Sequence, residues 1–131
     1  ESTLDNPNRI PKTAYHGTSD VFEKDILNKG IIPSKSYHDA KHFTPLEGHT
    51  YFTSSLYNAK VIALSTAKSS GGNPIVFSID TSKLDHSSIY LDPEYPNKQN
   101  FVYKGNIKDA TILGRFDKVK KLWNYKYWED K

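Results

Sequence analysis

The segment KTAYHGTSDVFEKDILNKGII, residues 12–32, carries a strand signal, a turn signal and a helix signal in succession. Lys12-Thr13-Ala14-Tyr15-His16 is short and bounded by Pro11 and Gly17, which predicts a buried strand ending in a tight turn, with His16 at the strand end. Asp20 followed three residues later by Glu23 reads as a capping box. Phe22 and Ile26 share a face and Gly30 supplies a stop, so a helix is expected over Asp20–Lys29. Ile31-Ile32-Pro33 leaves it as an extended exit.

The same reading carries outward. Tyr51-Phe52-Thr53 predicts a second strand, with Ser54 or Ser55 as N-cap of a second helix through Leu56, Ala59, Val61, Ile62 and Ala63, closed by Ser69-Ser70-Gly71-Gly72. Pro74 to Asp80 alternates most cleanly, with Ile75, Phe77 and Ile79 on one face. Further strands are expected at Ser88–Leu91, Gln99–Lys104 and Thr111–Phe116. Helices early and strands late predict an α+β domain with a largely antiparallel sheet. Residues 1–11, with Asn6-Pro7-Asn8 and Ile10-Pro11, read as an extended N-terminal arm, and residues 12–131 as one domain.

Composition bounds the chemistry. At 131 residues the chain is long enough for one core and too short for two. Its 36% hydrophobic and 13% aromatic content argues against disorder. The net charge of +3 permits an acidic or nucleic-acid partner without requiring one. With no cysteine, disulfides, zinc-thiolate sites and thiol nucleophiles are excluded. No apolar run approaches membrane-spanning length, so no membrane partner is expected. Glu1-Ser2-Thr3 lacks an initiator, which sets the expectation of a processed or trimmed N-terminus, and the protein is expected to be a monomer.

Three motifs then carry a resemblance. Ala14-Tyr15-His16-Gly17-Thr18, a helix reaching Ile26-Leu27, and Gly30-Ile31 form the first. Tyr51-Phe52-Thr53-Ser54 with Ala59 eight positions after the tyrosine forms the second, and Gln99-Asn100-Phe101-Val102-Tyr103 the third. In this order they resemble the ADP-ribosyltransferase superfamily of the diphtheria-toxin and poly(ADP-ribose) polymerase type, over about Lys12 to Leu113. The resemblance implies a split sheet around an NAD cleft and a mono-ADP-ribosyltransferase, a toxin among the expectations. NAD would be the co-substrate and a protein or nucleic acid the acceptor. It implies catalytic roles for His16, Tyr51 and Gln99. It also implies that His16 binds the adenosine ribose, that the Gly17 backbone binds the nicotinamide amide, and that Thr18 adjoins them. Tyr51 would wall the pocket, with Ala59 packed close to the ring.

Two positions depart from the family pattern. Gln99, with Asn100 next, stands where many members have glutamate, and an amide cannot supply the negative charge that steadies an oxocarbenium ion. Glu94 is the alternative acid. Ile62 stands where the polymerases have a second stacking tyrosine, for which Tyr57 is the substitute expected. The amide motivates a non-catalytic NAD or ADP-ribose-binding module as an alternative. A tRNA 2'-phosphotransferase-like enzyme is another, ranked low because only Arg9 and Arg115 are available to hold a phosphate.

The polar stretch Ser34–Gly48 reads as a lid over NAD. Its His38-Asp39-Ala40-Lys41-His42, with His49 beyond, lacks the glutamate and the helix that a zinc protease signature needs, so no metal is expected. Lys118, Lys120, Lys121 and Lys126 alternate with Trp123, Tyr125, Tyr127 and Trp128. That pattern describes a half-buried edge strand better than a nucleic-acid contact.

Overall fold

The computed structural model describes residues 5–33, 48–93 and 99–117. Residues 34–47, Glu94 and the tail from Lys118 lie outside the described residues, and with them the expectations of a lid, of no metal at His38 and His42, of Glu94 as the alternative acid and of an edge strand in the tail. Within the described residues the chain is an α+β domain. Strands β1 (Thr13–Ser19), β2 (His49–Thr53), β3 (Pro74–Asp80), β4 (Ile89–Leu91), β5 (Asn100–Lys104) and β6 (Ile112–Arg115) form one sheet in the order β4-β5-β2-β1-β3-β6. Every neighbouring pair is antiparallel. Helices α1 (Glu23–Lys29) and α2 (Leu56–Ser70) complete it.

The first strand is longer than its sequence suggests. Instead of turning at Gly17, β1 continues, and Gly17, Thr18 and Ser19 pair with Val76, Ile75 and Pro74. His16 is therefore mid-strand. The turn comes at Ser19, whose hydroxyl accepts from Val21 N–H at 3.3 Å and donates to the Gly71 carbonyl. Asp20 does not form the expected capping box. Its carboxylate accepts from the backbone and side-chain N–H groups of Asn73 at 3.0 and 3.1 Å, which leaves residues 20–22 as a 3-10 turn. With Asp20 so engaged, α1 starts three residues late at Glu23, and its N-cap Phe22 has no side-chain bond to offer.

The sheet buries both faces. Ile75, Phe77 and Ile79 of β3 join Ala14, Phe52, Ile89 and Phe101 in the main core, where the Phe52 and Phe101 rings stack with centroids 5.2 Å apart. On the opposite face Val76 meets Ala59 and Ala63 of α2, flanked by Tyr15, Leu56 and Phe116. Ser55 caps α2, its hydroxyl accepting from Asn58 N–H at 3.1 Å, and Gly71 ends it at φ +88°.

Two further attachments fix the frame. The arm is docked, since Leu91 N–H donates to Asp5 O at 2.6 Å and the Asn6 side chain to Ile89 O at 2.6 Å, which occupies the outer rim of β4. Beyond β6, Asp117 is buried and accepts from Arg115 Nε and Nη2 at 3.1 and 2.6 Å and from Val76 N–H at 2.9 Å. The Arg115 Nη1 reaches Glu23 at 3.0 Å, tying α1 to the sheet, and the two carboxylates hold the guanidinium's pKa above its ordinary value. No helix among the described residues is long and apolar enough to cross a membrane.

Candidate functional site at the seam between two central strands

In an antiparallel strand, alternate residues direct both backbone polar groups to one neighbour and the residues between direct theirs to the other. Thr81 N–H donates to Lys12 O at 2.9 Å and Asp20 N–H to Asn73 O at 2.8 Å, bracketing β1. Its even positions therefore bond to β3, and Tyr15, Gly17 and Ser19 turn their N–H and C=O toward β2. The bond from Val76 N–H to Asp117 agrees, because even positions of β3 must then face away from β1. On β2, Ser54 N–H donates to Gln99 O at 2.8 Å and Gly105 N–H to Gly48 O at 2.9 Å, so its even positions face β5. His49, Tyr51 and Thr53 face β1.

A continuous ladder would then pair Tyr15 with Thr53, Gly17 with Tyr51 and Ser19 with His49. Only the first pair forms. At the second, the Tyr51 carbonyl accepts instead from the His16 ring, Nδ1 to O at 2.9 Å. A side chain leaves a strand across the sheet face rather than along it. β1 and β2 stay neighbours in the one six-stranded sheet, with Tyr15 and Thr53 as their ladder pair and the His16–Tyr51 bond beside it. By the same alternation the Gly17 N–H and C=O are directed toward β2, where no ladder pair with Tyr51 forms.

The His16 ring is electrostatically defined. A carbonyl only accepts, so Nδ1 carries the proton. Burial lowers the imidazole's pKa from 6.5, opposed by its bond to Tyr51, so the ring is neutral at pH 7 and Nε2 keeps a lone pair. His16 Nε2 is an acceptor.

Helix α2 packs on β1 in backbone contact at Gly17. A Cβ on Gly17 would lie 2.9 Å from both the Ala59 carbonyl carbon and the Ala63 nitrogen, and closer still to the Ala59 oxygen. The lack of a side chain at 17 thus has a structural cause, helix-on-strand packing, where the sequence reading has a tight turn and a backbone contact to nicotinamide. Ala59 is buried in this contact. One flank of α2 is set by Asn58, whose amide donates to Asn100 Oδ1 on β5 at 3.1 Å. Ile62, four residues on, shares that flank and is 38% exposed. Tyr57 is 43% exposed and lies roughly 140° around the helix from Ile62, so α2 does not bring it to the place of that residue.

The third motif arrives differently from its expected form. Gln99 is not in the strand but in the turn before β5, which begins at Asn100. The Gln99 carbonyl is held by Ser54 N–H at 2.8 Å, Thr53 Oγ1 at 3.0 Å and Ser54 Oγ at 3.4 Å, so the end of β2, the entry to α2 and the start of β5 are knotted together. The structure thus assembles His16, Gly17 and Tyr51 at the seam, with Ala59 and Ile62 on the helix above, while Thr18 is buried opposite Ile75. Asn58 and Asp92 escape the sequence reading. Asp92 is buried with its N–H donating to Asn100 O at 3.0 Å, and neither residue belongs to a periodic or spaced pattern that would single it out. Comparison of the chain with protein-family models and with curated proteins gives no match.

Proposed function

We propose that this protein is an NAD-dependent mono-ADP-ribosyltransferase that uses the β1–β2 seam to hold the nicotinamide end of NAD. The observation that carries the reading is the β1–β2 ladder, which pairs Tyr15 with Thr53 but not Gly17 with Tyr51, whose carbonyl accepts from the neutral His16 ring instead. A primary carboxamide has the complementary pair, its oxygen accepting from Gly17 N–H and its NH₂ donating to Gly17 C=O. His16 Nε2 accepts from a ribose hydroxyl, and Tyr51, Ala59 and Ile62 bound the ring.

In the reaction the bond from ribose C1' to the nicotinamide nitrogen breaks, its electron pair neutralising the pyridinium as nicotinamide departs. An acceptor oxygen or nitrogen bonds to C1' and gives up its proton. The developing oxocarbenium calls for negative charge. Gln99 and Asn100 offer amides, which hold a ribose hydroxyl but contribute no charge, so turnover is slow and transfers one ADP-ribose at a time.

The purified protein is expected to release nicotinamide from NAD slowly even without acceptor, and His16→Ala to abolish the release. Identical behaviour of the two proteins would sink the enzyme reading. The amide at Asn100, already bonded to Asn58, favours a second reading, a non-catalytic NAD or ADP-ribose-binding module. Thermal stabilisation by NAD without nicotinamide release is its signature. A 2'-phosphotransferase is disfavoured because Arg115 is committed to Glu23 and Asp117 rather than turned to a ligand. The acceptor, protein or nucleic acid, is a matter for lysate labelling with tagged NAD.

A further inference from the structure

We infer that His16 is a positioning residue that holds the sheet open. The odd positions of β1 and of β2 are already aimed at each other, and Tyr15 and Thr53 already pair. The next bond in that register would run from Gly17 N–H to Tyr51 O. That carbonyl accepts from His16 Nδ1–H at 2.9 Å. Its second lone pair could still accept from Gly17 N–H, so the role inferred for the ring is to hold the carbonyl, from across the sheet face, away from the position at which the ladder would close.

A buried backbone N–H without a ladder partner favours any conformation that supplies one. Gly17 is buried, and α2 lies against its Cα with no side chain between. The α2 side of the strand is therefore closed, and the open direction for Gly17 N–H and C=O is along the sheet, into the gap the imidazole maintains. Without the ring, the Tyr51 carbonyl is the nearest acceptor in register, and the strands zip by one further pair. The role does not depend on ring charge, because Nδ1 carries its proton in both the neutral and the protonated forms. Among the described residues, His16 bonds to the Tyr51 carbonyl of β2 and pairs with Phe77 of β3, neither of which titrates near neutrality.

The inference deepens the reading of the same seam and rests on it for its ligand arm alone. Amide hydrogen exchange at Gly17, followed by NMR in protein free of nucleotide, tests it directly. In the parent protein the Gly17 amide is expected to exchange faster than those of Ala14 and His16, which bond to β3. In His16→Ala it should slow by about tenfold or more as the Gly17–Tyr51 pair forms. His16→Gln, whose amide donates to the same carbonyl, should keep the parent rate.

Equal Gly17 exchange in parent and His16→Ala overturns the inference, as does a parent Gly17 amide already as protected as its β3-bonded neighbours. Should His16→Ala fail to fold, His16→Leu in its place fills the volume without a donor and is expected to show the same slowing. In the ligand arm nicotinamide is titrated while the Gly17 amide shift is read. Parent and His16→Gln should respond and His16→Ala should not. If nicotinamide moves no resonance in the parent, the functional reading fails, while the exchange result still decides the role of His16.

Discussion

Replacing Gly17 by alanine tests the packing on which the seam depends. Gly17 is not among the glycines at positive φ, so alanine meets no backbone strain there, and in a strand it would on propensity alone stabilise by roughly 0.5–1 kcal/mol. Against that stands the roof. The added Cβ would sit 2.9 Å from the Ala59 carbonyl carbon and the Ala63 nitrogen and closer still to the Ala59 oxygen, so α2 must retreat by more than about 1 Å to regain ordinary contact, taking the buried Ala59 and Ala63 away from Val76. Overpacking against backbone on both sides belongs at the upper end of the usual range, about 3 kcal/mol, for a net loss of about 2 kcal/mol or more. Thermal melts should fall by roughly 6–15 °C and the urea midpoint should fall with the slope unchanged. Because the obstructing atoms are main-chain atoms of residues 59 and 63, adding Ala59→Gly gives no rescue. A Gly17→Ala protein within about 0.5 kcal/mol of the parent, or one restored by Ala59→Gly, would refute the reasoning.

Other expectations follow from the same geometry. Asp117→Ala strands Val76 N–H and half of the Arg115 guanidinium in a buried setting and should cost about 2–4 kcal/mol by urea denaturation, whereas Glu23→Ala, at the more exposed end of the pair, should stay within about 1 kcal/mol. The pKa of His16 is lowered on folding, so the unfolded chain binds more protons in the window between the folded value and 6.5. The His16 contribution to stability is therefore complete above pH 6.5 and is lost as pH falls through the folded value, and an NMR titration placing His16 above 6.5 contradicts it. Placing a carboxylate at the third position, as Gln99→Glu or Asn100→Glu, should raise nicotinamide release about tenfold or more in whichever variant reaches the ribose; if both leave it unchanged, the third motif is misassigned.

Much of the architecture is legible in the sequence because it rests on local signals. The alternation over Pro74–Asp80 gives β3 with its bounds, Ser55 and Gly71 give both ends of α2, and the order of helices early and strands late gives an antiparallel sheet. The errors share a cause. Glycine at 17 is a turn signal only when its surroundings are unknown; here ladder pairing with Val76 and the approach of α2 override it. Asp20 has the chemistry of a helix cap, yet Asn73, more than fifty residues away, binds its carboxylate first. The motif residues His16 and Tyr51 are recognisable as types. That they meet through a ring nitrogen and a main-chain carbonyl is not, since no sequence pattern records which backbone groups a ladder leaves over.

The bare contact between β1 and α2 has a mechanical consequence. Side chains between packed elements act as cushions, because a rotamer change absorbs a small displacement before it travels further. No cushion separates Gly17 from Ala59 and Ala63, so a shift of a few tenths of an ångström at that strand position is handed to the helix undiminished, and with it to Asn58 and its tether on Asn100. A displacement of β1 at this position is therefore passed to the helix and its β5 tether without an intervening loop.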